Sequence, residues 1–189
     1  DCAYQWFGDH GILALLPLFP PPAAAQPKLE ARQVAELADG LAQPHDAALS
    51  PDGKLLYVTD MRNSRIRVLE AMTLEPVGSF GERELSYPHD AEFDKAGRLL
   101  VADTGNDRIA IYEVQGARSK LVGELKGLSG PEGIAVAPDG RVIVTNTRSA
   151  TLAVFRDARL ERTVGARVNG ELVPLLIDAA WSITMVEEA

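Results

Sequence analysis

A unit repeated at a spacing of 43 to 44 residues, each copy assembled from short strand-like runs, makes this chain all-β and predicts a β-propeller of four-stranded blades. Three observations carry that prediction. Pro44 to Leu69 ("PHDAALSPDGKLLYVTDMRNSRIRVL"), Pro88 to Tyr112 ("PHDAEFDKAGRLLVADTGNDRIAIY") and Pro131 to Phe155 ("PEGIAVAPDGRVIVTNTRSATLAVF") align from their opening prolines onward. Each copy carries a turn glycine at a matching place, Gly53, Gly97 and Gly140. Each then runs through aliphatic and β-branched residues, the composition of a strand rather than a helix.

The elements follow in order. After each proline comes a short apolar strand at Ala47 to Leu49, Ala91 to Phe93 and Ile134 to Val136. A tight turn follows, where glycine supplies positive φ without steric cost. The second strands are Leu55 to Thr59, Leu99 to Ala102 and Val142 to Thr145. The third alternate, as in Arg65-Ile66-Arg67-Val68, Arg108-Ile109-Ala110-Ile111 and Thr151-Leu152-Ala153-Val154, which predicts one buried and one wet face. Outer strands are expected at Glu75 to Phe80, Lys120 to Leu125 and Arg162 to Ala166.

The outer strand has a further copy, because "VAELADGL" at Val34 to Leu41 matches "VGELKGL" at Val122 to Leu128 with one residue inserted. The organisation is therefore a leader with a Pro/Ala-rich linker at 1–27, a lone outer strand at 28–40, three blades over 41–170, and a degenerate fourth-blade start or tail at 171–189. A fourth repeat beginning near Pro174 would lack both the turn glycine and the polar phrase of the others. About three blades make an incomplete ring. Either the chain belongs to a longer coding sequence, the reading we favour, or two copies associate as a homodimer into a six-bladed ring that leaves no sheet edge exposed.

These residues carry a resemblance. The proline start, the turn glycine and above all "VADTGNDRIAIY" resemble the NHL repeat, while "SPDGKLLYVTD" in the first segment and "VIVTN" in the third are similar to YVTN-type propeller repeats. The resemblance runs from Pro44 to about Ala166 and implies the propeller fold; activity has to be argued from a site. The Asp-x-x-Asn-x-Arg phrase, Asp60, Asn63 and Arg65 or Asp103, Asn106 and Arg108, reads as scaffold that ties a loop by side-chain hydrogen bonds. In the third segment Asn146, Ser149 and Thr151 stand there instead, and its loop is expected to be looser or differently bonded.

Composition narrows the partners. With 46% apolar and 24% charged residues among 189, the chain is globular, and a formal charge of −8 disfavours nucleic acid. The densest basic cluster, Arg62, Arg65, Arg67 and Arg83, reads mainly as a solvated strand face. Gly11 to Phe19 is an apolar run of signal-peptide length ahead of Ala23-Ala24-Ala25, which points to a secreted or periplasmic protein; without such a leader the location would be cytoplasmic. That run is too short for a stable membrane span. The single Cys2 excludes an internal disulfide, and Trp6, Trp181 and Tyr87 read as core or edge residues.

Chemistry is expected at the position after each opening proline. His45, His89 and Glu132 are equivalent in successive blades, and in a propeller the inner strands begin around one mouth of the central channel. Two imidazoles and a carboxylate suit a divalent metal, Zn²⁺ or Ca²⁺, while the plainer reading makes them strand-start scaffold. "SGPEGIAV" at Ser129 to Val136 is similar to a phrase of the gluconolactonase/regucalcin propellers, which implies a metal on the channel axis, and propeller lyases likewise use channel histidines. Asp46 and Asp90 would orient the imidazoles only if the strand turns there, because adjacent strand residues point oppositely. No catalytic residue and no cofactor motif is assigned. Two functions stay open: an exported module that binds a small molecule or protein at the channel mouth, and a metal-dependent lactonase or propeller lyase.

Overall fold

The computed structural model describes residues 40–168, together with the short strands β1 (Phe7–Gly8), β2 (Gly11–Ile12) and, at its other end, Glu171–Val173. Three four-stranded antiparallel sheets follow one another along the chain. Blade one is β3 (Pro44–Leu49), β4 (Leu55–Asp60), β5 (Arg65–Glu70) and β6 (Pro76–Phe80). Blade two is β7 (Pro88–Phe93), β8 (Leu99–Asp103), β9 (Arg108–Gln115) and β10 (Arg118–Leu125). Blade three is β11 (Pro131–Val136), β12 (Val142–Asn146), β13 (Thr151–Arg156) and β14 (Arg159–Val164). Ala166–Val168 (β15) and Glu171–Val173 (β16) pair as a separate hairpin. No helix among the described residues is long and apolar enough to cross a membrane.

The expected turns are present: Gly53, Gly97 and Gly140 have φ of +73°, +76° and +84°. One outer strand is misplaced by the sequence reading. β14 begins at Arg159 rather than Arg162, because Asp157 and Ala158 take left-handed φ of +48° and +61° and close a two-residue hairpin between Arg156 and Arg159. Such a turn usually announces itself with Asn-Gly or Asp-Gly, and Asp-Ala does not. Apart from β1 and β2, the leader, together with the copy of the outer strand ahead of Gly40, the tail from Pro174 and both tryptophans, lies outside the described residues; Gly40 and Leu41 are not strand.

The wet face expected of the third strands is not observed in the middle blade. β8 is buried throughout and Ile109 to Tyr112 of β9 are all buried, since a blade inside a propeller is covered on both faces. One layer joins Tyr57, Ile66, Val68 and Phe80 of blade one to Ala91, Leu99, Val101, Ala110 and Tyr112 of blade two. A second joins Leu100, Ala102, Ile109 and Ile111 to Ile134, Val144, Ala153 and Phe155 of blade three. Strict period 2 therefore assigns residues to two interfaces, both dry.

Inside each blade a buried acid holds the loops. Asp60, with no exposed surface, accepts from Asn63 Nδ2 at 2.8 Å, Arg65 Nε at 2.7 Å and the Ala42 N–H at 2.7 Å. Asp103 repeats this with Asn106 at 2.8 Å, Arg108 at 2.7 Å and the Ser86 N–H at 2.7 Å. Arg65 is thus a partner of Asp60 rather than part of a solvated arginine face. In blade three Asn146 Oδ1 accepts the Ser129 N–H at 3.0 Å and Nδ2 reaches Thr151 Oγ1 at 3.4 Å, so the loop is differently bonded and carries no ion pair of this kind. Asp103→Ala leaves the Ser86 N–H without its acceptor and takes one partner each from Asn106 and from Arg108, which keeps Glu124 and the Glu84 carbonyl, and is expected to cost about 2–3 kcal/mol in urea unfolding. Asp103→Asn keeps the acceptor, as Asn146 does, and should cost less; a loss below about 1 kcal/mol for the alanine variant would remove this acid from the stability of the blade.

Candidate functional site

The site is built by three bulges. In each inner strand the pairing with the second strand slips just after the opening proline, between Pro44 and Ala47, Pro88 and Ala91, and Pro131 and Ile134. Residues 45–46, 89–90 and 132–133 leave the ladder, which frees their side chains to be aimed across blades. The stranded amides are recovered by threonines: Asp46 N–H donates to Thr59 Oγ1 at 2.8 Å and Gly133 N–H to Thr145 Oγ1 at 2.6 Å.

The first residue of each bulge faces its counterparts. The His45 and His89 rings stack with centroids 3.4 Å apart and planes tilted by 39°, and His89 Nε2 lies 3.9 Å from Glu132 Oε2. The structure thus brings His45, His89 and Glu132 into one row along the inner-strand ends. Glu132 Oε1 accepts from Thr147 Oγ1 at 3.0 Å, but Oε2 is buried and has no hydrogen-bond partner among the described residues. The 3.9 Å gap is too long for a hydrogen bond and short enough for one bridging atom.

The second residue of each bulge does something else. Asp46 and Asp90 do not orient the imidazoles as ring partners. Asp90 Oδ2 accepts the Ile134 N–H of blade three at 2.5 Å, and Asp46 Oδ2 lies 3.4 Å from the Ala91 N–H of blade two. Each is a clip to the next inner strand. Gly133 stands at this position in blade three and has no carboxylate to offer. Sequence reasoning missed this role; the signal was the identical Pro-His-Asp-Ala start of the first two blades.

Burial sets the charge of the row. Desolvation, then the neighbouring His45, pushes His89 down to about 3, against an opposing hydrogen bond to the Glu132 backbone; desolvation also lowers His45, against the Asp46 charge. Both rings are neutral at pH 7. Desolvation raises Glu132, opposed by Thr147 and by Arg148. Burial first, then the charge of and a hydrogen bond to Asp46, raises Asp90 well above the ordinary carboxyl range.

Among the described residues no group of three or more His, Cys, Asp or Glu side chains is placed to hold an ion. The imidazoles meet as tilted rings, and His89 is the one whose Nε2 lies 3.9 Å from Glu132 Oε2.

Comparison with known proteins agrees with the repeat. The NHL repeat model matches residues 128–155, which is the third segment, the one that departs furthest from the Asp-x-x-Asn-x-Arg phrase. Residues 128–155 are an NHL repeat, and the first two segments share its proline start and turn glycine. It is 32% identical over 71 residues to human NHL repeat-containing protein 3, a match covering 34% of this chain and 19% of that protein. To human NHL-repeat-containing protein 4 it is 25% identical over 117 residues, covering 62% of this chain and 94% of that protein. Virginiamycin B lyase from Staphylococcus aureus superposes with a TM-score of 0.53 at 15% identity, over 67% of this chain and 42% of the lyase, a likeness of fold alone. The chain thus spans about a fifth of one curated relative and less than half of that solved propeller.

His89 yields a pH prediction for the blades. Its folded pKa lies below the ordinary 6.5, so between the two values the unfolded chain binds more protons than the folded one. The contribution is intact above pH 6.5 and declines as pH falls toward 3. Histidine Cε1–H shifts should show His89 unprotonated at pH 5, and His89→Gln should flatten the fall in unfolding free energy between pH 6.5 and 4. A normal titration midpoint near 6.5 would contradict the burial argument.

Proposed function

We propose that this NHL-repeat chain is a binding module whose channel mouth recognises a small molecule or a protein through His45, His89 and Glu132. The observation that carries this reading is Glu132 Oε2, a buried acceptor left without a partner opposite an imidazole nitrogen. A buried carboxylate oxygen without a donor costs free energy, and a ligand that supplies one recovers it. Catalysis is the weaker reading. A general base works best with a pKa near the working pH, and His89 at about 3 is too weak a base for proton abstraction at neutrality. The metal-dependent lactonase or lyase alternative draws its support from the lyase that shares the fold and from the resemblance at Ser129 to Val136.

A ligand screen separates the two. The chain has three histidines, His10, His45 and His89, so labelled histidine gives a small set of signals. A mixed library of small neutral, anionic and cationic compounds should contain members that shift His45 and His89 together while leaving His10 unmoved, and the shifts should vanish in Glu132→Ala. A library that moves neither signal would sink the binding reading. Zn²⁺ that binds at pH 7.5, weakens at pH 5.5 and is lost in His89→Ala would replace it with the metal centre.

A further inference from the structure

Tyr87 is the feature of the mouth that packing does not explain. The residue before each inner-strand proline takes a left-handed conformation, Gln43, Tyr87 and Gly130 at φ of +56°, +51° and +59°. Blade three meets the requirement with glycine. A bulky residue is strained there, and a following proline restricts it further. Tyr87 nevertheless stands there with 56% of its surface exposed, so it is not a core residue. A strained, exposed aromatic ring two residues ahead of His89 stabilises nothing visible in the fold, and such outliers gather at ligand sites.

The neighbouring blades show what is different about it. Two residues after the buried Asp or Asn, blades one and three carry Arg62 and Arg148. Arg62 Nε donates to Gln43 Oε1 at 2.8 Å, and a Cβ built on Gly130 would lie 2.9 Å from Arg148 Cγ. Each arginine covers the left-handed residue of its own blade. Blade two has Gly105 there, packed so closely on Ser86 that any side chain would collide with it. No arginine at this position of blade two covers Tyr87; Arg148 of blade three reaches over the blade-two loop instead, where Asp107 at 2.9 Å and the Thr104 carbonyl at 3.1 Å hold its guanidinium.

We propose that the mouth binds an organic ammonium group, with Glu132 Oε2 and His89 Nε2 accepting its N–H bonds and Tyr87 packing against its hydrocarbon or aromatic part. This rests on the channel-mouth reading and names its ligand class. An ammonium nitrogen carries several donors and fits a gap of 3.9 Å between two acceptors. Neutral imidazoles do not repel it, an aromatic face attracts it, and a chain of formal charge −8 draws cations toward it. Arg148, whose charge is felt at Glu132, is itself paired with Asp107 at 2.9 Å.

The test uses benzylammonium and its neutral counterpart benzyl alcohol as probes, with affinity read by calorimetry at pH 7.5 and stability read as Tm. Benzylammonium should bind at least about tenfold more tightly than benzyl alcohol, and Glu132→Gln should lower its affinity by about tenfold. Tyr87→Gly should weaken binding about fivefold and at the same time raise Tm, because glycine relieves the left-handed strain. Gln43→Gly, relieving the same strain in blade one, should raise Tm without changing affinity. Equal binding of the two probes, or full affinity in Glu132→Gln, overturns the ammonium assignment. Full affinity in Tyr87→Gly overturns the role of the ring. If the histidine screen finds ligands that lack any ammonium group and benzylammonium does not bind, the channel mouth stands as a binding site and this inference falls alone.

Discussion

A carboxylate with no exposed surface, held by one guanidinium, one amide and one backbone N–H, is the constraint on which each of the first two blades depends. Asp60 and Asp103 sit where the second strand ends, and their partners come from the loop that follows and from the segment that enters the blade. One buried charge therefore fixes two loops against each other. Arg65 and Arg108 also donate to the carbonyls of Gly40 and Glu84, so the pair anchors backbone well outside the strand. An unpaired charge at that depth would cost several kcal/mol, which makes the geometry nearly all-or-none.

The inner-strand ends inherit their position from those loops. The entering segment leads directly into the left-handed residue, the proline and the bulge, so the acid that holds the segment also sets where His45 and His89 begin. The blades are then joined along the axis by the second bulge residue, through Asp90 to Ile134 and the longer contact of Asp46 with Ala91, and by Thr59 Oγ1 to the His89 carbonyl at 3.1 Å. Polar clips near the axis and apolar layers further out divide the work. The clips fix register between blades, while the layers through Tyr57, Phe80 and Tyr112 and through Ile109 and Phe155 supply most of the burial.

How much of this the sequence discloses depends on whether a feature is local. The repeat, the turn glycines and the Asp-x-x-Asn-x-Arg tie involve residues a few positions apart, and they are legible because their chemistry repeats at a fixed spacing. The start of β14 was not, because Asp157 and Ala158 reach positive φ without a glycine to mark it. The dry second face of the middle blade was not, because alternation reports a sheet face but not what covers it. The equivalence of His45, His89 and Glu132 was legible. That His45 stacks on His89 while only His89 approaches Glu132, and that Asp46 and Asp90 turn to the next blade, depends on bulges whose register shifts leave no composition signal.

The chemistry of the mouth comes from departures from the repeat rather than from the repeat itself. Were the blades identical, three histidines would crowd at the inner-strand ends, and the mutual repulsion and desolvation that already depress His89 would act on all of them. Blade three breaks this at consecutive positions. Glu132 replaces the histidine, and Gly133 replaces the aspartate that would clip onward. Blade two breaks it at Tyr87 and at Gly105, where its neighbours keep an arginine. Gly105 lets its loop close on Ser86, but two of the other changes, the strained Tyr87 and the unpartnered oxygen of Glu132, cost stability. A scaffold that tolerates two costs near the inner-strand ends, with Asp103 and Asp60 holding the loops behind them, keeps its stability apart from the proposed site, which is the ordinary separation between a framework and the site it carries.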